Sequence, residues 1–287
     1  MAIEPTAPAV VAAAPPPPPA NNNPKKPLNN LLVGLMLLFY TVLMLVLAWK
    51  LQGYGQGQNY VAVMVLMLLF IITLGFRISG RWDGILVSER NLISLSRFQM
   101  VLWTVIILGA YLTAAIGRIK TGSIADALGL TLDPQLWGVL GISTASLIGT
   151  PLLQTTKTAQ QPNGNAAEKT SAALVAKGDG ETVADINANA QGVLYANASI
   201  QDAAFTDMFE GDEVGNTAYI DVSKLQMFFF TVVAALSYGI LLHQWIAGHL
   251  YKSNAHFPLV SGGLIAILGI SHAGFLVGKS TTHTPTT

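Results

Sequence analysis

Six stretches of this chain contain no Asp, Glu, Lys or Arg and are dominated by apolar side chains: residues 31–49, 60–76, 98–116, 136–153, 225–246 and 258–277. Each approaches the roughly 20 residues that an α-helix needs to cross the hydrocarbon core of a bilayer. A membrane strand would alternate polar with apolar residues, and these stretches do not alternate. The pattern therefore predicts an all-α membrane protein with six transmembrane helices. Composition agrees. The 287 residues are 52% hydrophobic and only 10% charged, against about 25% charged in ordinary soluble domains.

The spans divide the rest of the chain. Residues 1–30 form a Pro-rich tail in which positions 15–19 are all proline. That run has no amide donors and no apolar face to bury, so a disordered tail with polyproline II character is expected. The first hairpin covers 31–76 and a basic connector covers 77–97. A hairpin at 98–153 is followed by a polar loop at 154–224, a last hairpin at 225–278 and a tail at 279–287. The loop reads as flexible in its first half. A short amphipathic helix is expected near 199–210, because Ile200, Ala204 and Met208 share a helical face. Asp207, Glu210, Asp212 and Glu213 read as a solvated acidic turn. Within the connector, residues 85–93 have the pattern of a short hairpin.

An even number of spans places both termini, the connector and the long loop on one side. That side carries eleven Lys and Arg residues, and the other carries four: Lys50, Arg118, Lys120 and Lys252. The bias of basic residues toward the cytoplasm makes the first side cytoplasmic. The N-terminus has no basic segment leading into an apolar core, so no cleavable signal peptide is expected.

One motif occurs twice. Residues 96–105 read Ser-Arg-Phe-Gln-Met-Val-Leu-Trp-Thr-Val, with Tyr111 beyond. Residues 223–232 read Ser-Lys-Leu-Gln-Met-Phe-Phe-Phe-Thr-Val, with Tyr238 beyond. Each is followed by Leu-Gly-Ile-Ser, ending at Ser143 and at Ser271. The chain thus reads as a duplicated two-helix hairpin. Both copies start on the same side, which makes them parallel repeats about an axis along the membrane normal.

At about 100° per residue, the matched positions of the first copy fall within roughly 140° of arc. Gln99, Thr104 and Tyr111, with Gln226, Thr231 and Tyr238 in the second copy, therefore define a polar intramembrane face. Ser143 and Ser271 join it from the return helices. Ser96 with Gln99, and Ser223 with Gln226, fit the Ser-x-x-Gln capping box, in which serine and glutamine satisfy orphan amides at a helix start. Ligand binding by the glutamines is the alternative. His272 breaks the symmetry, since Thr144 holds its place in the first copy. An ionisable group inside a span is a functional candidate; the alternative is a neutral histidine bonded to a neighbouring hydroxyl or carbonyl.

Catalysis finds little support. There is no cysteine, no carboxylate in any span and no spacing of metal ligands. Gly-Ile-Ser lacks the second glycine and the acid–base partners of a nucleophile elbow. The chain is read as no enzyme, with no catalytic residue, cofactor or metal.

The openings at 94–100 and 221–227, Leu-Gly-Ile-Ser-His-Ala-Gly at 268–274 and Glu-Gly-Asp-Glu-Val-Gly-Asn at 210–216 resemble a group of uncharacterised bacterial multi-pass inner-membrane proteins. The resemblance implies a bacterial inner membrane and assigns no activity. Two functions stay open. The duplicated unit and its polar arc suggest a channel or transport component. The proline tail and acidic loop suggest an anchor or scaffold that recruits a cytoplasmic protein. The lipid bilayer is the expected environment, a homo-oligomer fits a pore, and nothing points to nucleic acid.

The charge bias makes a direct prediction. Reporter fusions at Thr287 and near Gly164 should be active only with a cytoplasmic reporter. A periplasmic signal at either site would overturn the topology and the parallel arrangement of the repeats.

Overall fold

The computed structural model describes residues 27–50, 55–122, 127–178, 180–252 and 256–286. Most of the Pro-rich tail lies outside them. Eight α-helices occur among the described residues: α1 (Pro27–Lys50), α2 (Gln56–Ser79), α3 (Leu95–Lys120), α4 (Pro134–Thr158), α5 (Gly164–Lys177), α6 (Val183–Asn189), α7 (Val222–Ala247) and α8 (Gly262–Ser280). There is no extended strand among them, only isolated bridges. Helices α1, α2, α3, α4, α7 and α8 are long and apolar enough to cross a membrane. The all-α, six-span reading therefore holds.

The helices outrun the apolar stretches because polar residues cap them. An amide left unpaired at the edge of a bilayer is costly. Asp133 accepts from the Gln135 amide at 2.9 Å, and Pro134 follows at the first helical position of α4, where proline loses no hydrogen bond. Ser94 caps α3, Asp221 caps α7 and Ser261 caps α8. Helix α2 stops at Gly80, whose φ of 76° suits glycine. These caps correct the expected capping boxes. Ser96 and Ser223 lie inside their helices, one turn or less past the true caps.

Helix α3 is the axis of the bundle, packed by α2, α7, α4 and α1. Trp103, Ile107, Ala110 and Ala114 form its buried stripe, met by Tyr60 of α2 and by Ala234, Tyr238 and Leu242 of α7. Apolar burial drives little between helices already in lipid, so close packing and hydrogen bonds hold them. Gly109 shows the close packing: a Cβ there would stand 3.0 Å from Met64. Buried Tyr60 donates from its hydroxyl to the Ile106 carbonyl at 3.0 Å. Helix α1 lies outermost. Leu31, Leu35, Leu38 and Phe39 are each more than half exposed, as a lipid-facing helix requires.

The connector, the 159–221 segment and the end of the chain fold together into a polar cap on one side of the bundle. The connector makes the expected short hairpin, with an antiparallel bridge between Val87 and Ile93. Asn91 and Asn197 exchange amide-to-carbonyl bonds of 2.9 and 3.0 Å. The Asn163 amide donates to the Pro285 carbonyl at 2.8 Å. The half of the loop read as flexible instead forms α5 and α6, which bury Leu174 and Ile186 against Tyr195, Val214 and Ala218. The amphipathic helix near 199–210 is replaced by two 3-10 turns, Ile200–Asp202 and Phe205–Met208. Ala203 and Met208 reach the core all the same, packing on Met227 and Phe275 at the bundle surface.

One ion pair ties the cap to α4. Lys157 Nζ reaches Glu213 Oε1 at 2.6 Å, with 2% and 1% of the two side chains exposed. Lys157 also donates to the Thr281 carbonyl at 2.6 Å. Glu213 Oε2 accepts from the His283 and Thr284 amides, both at 2.7 Å. The chain passes so close here that a Cβ on Gly192, at φ 64°, would sit 2.3 Å from the Lys157 carbonyl oxygen.

Removing one member of such a pair leaves a buried charge without its partner, which costs about 3–5 kcal/mol. Lys157→Met should therefore lower thermal stability in detergent sharply. The double variant Lys157→Met, Glu213→Gln should recover more than half of the loss. Equal melting temperatures for wild type and Lys157→Met would show that the pair does not hold the cap.

Candidate functional site

The densest charge cluster sits where the cap meets the bundle. Asp212, in the loop before α7, receives three cations. Arg90 Nη2 donates to its Oδ1 at 2.9 Å, Lys224 Nζ to the same oxygen at 3.1 Å, and Lys279 Nζ to Oδ2. The three come from the connector, the first turn of α7 and the last turn of α8. Arg90 adds bonds to the Tyr195 and Asp212 carbonyls at 2.9 and 3.0 Å. Burial lowers its guanidinium to about 10, so it stays charged at neutral pH. Asp207 is pushed upward by burial, partly offset by amide bonds from Ile93 and Ala204, each 2.9 Å.

Beside this junction lies a cavity of about 650 Å³ between α3, α4, α8 and the cap. Its lining is mixed. Arg90, Lys224, Lys279 and Asp212 line it beside the cap; Met100, Val101, Leu147 and Pro151 lie a turn or more deeper in α3 and α4, and the Phe275 ring adjoins Lys279, its centre 4.9 Å from Nζ. Ser96 and Gln154 also line it, and they are 2% and 7% exposed. Ser96 Oγ and Gln154 Nε2 have no hydrogen-bond partner in the protein. A buried donor left unpaired costs about 1–3 kcal/mol, so both are exceptions that call for a cause.

The polar intramembrane face read from the sequence does not converge on one site. Gln99 is buried, and its Nε2 donates to Thr231 Oγ1 at 2.6 Å across the α3–α7 interface. Its repeat counterpart Gln226 is exposed, and Thr104 is half-buried where Thr231 is fully buried. Tyr111 and Tyr238 do matched work at the opposite end of the bundle, donating to the Leu128 and Pro258 carbonyls at 2.9 and 3.1 Å. Ser143 and Ser271 are both buried. His272 Nδ1 meets Ser146 Oγ of α4 at 2.6 Å, the hydroxyl bond of the structural alternative. Gln99 with Thr231, Tyr111, Tyr238 and His272 are thus engaged at separate places, while Ser271 Oγ is buried without a partner.

The acidic turn is the main correction. Asp207 and Glu213 are buried, and all of Asp207, Asp212 and Glu213 point into bonds rather than into water. Sequence reasoning missed Asp212, Lys279, Ser96 and Gln154 as neighbours. A faint signal existed: Arg90, Lys224 and Lys279 flank three different spans on one side, and the four acids are the densest carboxylate group in the chain. No group of His, Asp or Glu suited to a metal occurs among the described residues.

The two glutamines now separate. Gln99→Glu would place a carboxyl group against buried Thr231 and should destabilise by about 1–3 kcal/mol. Exposed Gln226→Glu should change stability by less than about 0.5 kcal/mol. Melting curves of the two purified variants check this, and equal shifts would contradict it. Ser146→Ala, which strands the His272 ring nitrogen, should behave like Gln99→Glu.

Compared with known proteins, the chain matches no protein-family model, no curated protein and no solved structure.

Proposed function

We propose that this polytopic membrane protein is a non-enzymatic transport component of a bacterial inner membrane, and that its ligand occupies the cavity between α3, α4, α8 and the cap. The cavity carries this reading. It is of small-molecule size, lies among membrane helices and presents buried cations at one end. Ligand sites of this kind are mostly apolar with a few placed polar groups. The pairing of Gln99 with Thr231 and of Ser146 with His272 weighs against a water-filled pore through a single chain. A pore would have to form between copies in a homo-oligomer.

The second reading is a membrane anchor that recruits a cytoplasmic protein. Its specific support is the exposed run Tyr219, Ile220 and Val222 at the foot of the cap, each more than 60% exposed. The acidic loop contributes less to it than its sequence suggests, because its carboxylates are engaged inward.

Charge movement on a supported membrane tests the first reading. The full chain, reconstituted in liposomes, should give transient currents with at least one class of small phosphate- or carboxylate-bearing solute. Leu147→Trp, which fills the apolar end, should abolish them. Absence of current with every class, from protein that remains folded, would sink the transport reading and leave the anchor.

A further inference from the structure

The junction gathers three cations on one carboxylate, with Asp207, Glu210 and Asp221 also close enough to act on Lys224. Asp212 is one carboxylate shared by Arg90, Lys224 and Lys279. Arg97, also lining the cavity, is engaged by Glu89. Asp207 spends one oxygen on two backbone amides, and Lys224 reaches its backbone carbonyl, at 3.5 Å, rather than its carboxylate. Glu213 belongs to Lys157. Cations arrayed along one part of a cavity can give an anion charge-assisted hydrogen bonds, which are the strong kind.

Ser96 Oγ and Gln154 Nε2 supply the second observation. Both are buried donors without partners, both line the same cavity, and they come from different helices, α3 and α4. An acceptor in the cavity would satisfy them together. The remaining wall is of another kind. Met100, Val101, Leu147 and Pro151 are not buried inside the protein, so the apolar end is continuous with the lipid-facing surface of α3 and α4. A ligand that fills this cavity is anionic at one end and apolar at the other.

We propose that the cavity binds an anionic amphiphile, with a phosphate-type headgroup against Lys224, Lys279, Ser96 and Gln154 and its hydrocarbon part along Met100, Val101, Leu147 and Phe275. This rests on the cavity's being the ligand site and names the class of ligand; it holds whether that ligand is carried across the membrane or retained. Phosphate fits the donor set because its oxygens can accept from two ammonium groups, a hydroxyl and an amide at once. The apolar wall selects a lipid over a free phosphate ion.

Native mass spectrometry of the full chain in detergent tests this with three probes: phosphatidylglycerol, phosphatidylcholine and inorganic phosphate. Phosphatidylglycerol should be retained at least tenfold more tightly than phosphatidylcholine, and inorganic phosphate only weakly. Ser96→Ala removes a hydroxyl that bonds nothing in the protein. It should hold or raise the melting temperature of the lipid-free protein and weaken phosphatidylglycerol about tenfold, the loss of about 1.4 kcal/mol. Lys279→Gln should weaken it further; should that variant not fold, Ser96→Ala decides. Leu147→Trp should exclude the lipid and spare phosphate. Equal affinity for the two lipids, or full affinity in Ser96→Ala, would overturn the proposal. Inorganic phosphate bound as tightly as phosphatidylglycerol, with no effect of Leu147→Trp, would overturn the amphiphile. Retention is read without flux, so a protein that binds the lipid and shows no current would refute transport and keep the ligand.

Discussion

A polar group inside a bilayer has no water to turn to, and most of this structure follows from that constraint. Every span is a helix because a helix satisfies its own backbone. Helix ends are met by Ser94, Asp133, Asp221 and Ser261. Several polar side chains within the spans find partners on a neighbouring helix: Tyr60 the Ile106 carbonyl, Gln99 Thr231, and His272 Ser146. Each of these bonds also joins two helices. Satisfying a polar group and specifying which helix packs where are the same act, since association in lipid relies on packing and on such bonds.

The cap extends the rule to charges. Glu213 and Lys157 are almost wholly buried, and they hold the last turn of α4, the long loop and the end of the chain together. Asp212 does the same for the connector, α7 and α8. A loop that looks polar and loose in isolation becomes ordered because its carboxylates meet cations supplied by helix ends. The rule is not met everywhere: Arg118 Nε, Trp245 Nε1 and Ser271 Oγ are buried without partners. Ser96 and Gln154 differ in that both line one cavity beside a cluster of cations.

Much of the fold was legible in residue order. Six uncharged apolar runs mark six helices, and the register of basic residues brings the connector, the long loop and the chain end to one side, where they are found bonded to one another. The repeated Tyr111 and Tyr238 play equivalent parts. The repeated glutamines do not: Gln99 is enclosed by α7, whereas Gln226 faces outward. A local motif such as Ser-x-x-Gln describes what two residues one turn apart can do for each other. It carries no information about a cap that begins a residue or two earlier, or about a threonine on another helix.

What the sequence determined by itself is the class of the molecule, because the solvent decides it: twenty uncharged apolar residues have one stable arrangement in a bilayer, and neighbours along the chain suffice to reveal it. What only the tertiary structure decided is the site. Arg90, Ser96, Gln154, Asp212, Lys224 and Lys279 come from four separated stretches of the sequence, 90–96, 154, 212–224 and 279. Their charges and donors acquire a common chemistry only when packing places them around one cavity. Whether a carboxylate in 207–213 is solvated or buried depends on cations that the chain delivers from the connector and from helix ends, in the case of Arg90 from 122 residues away, a separation that local pattern cannot bridge.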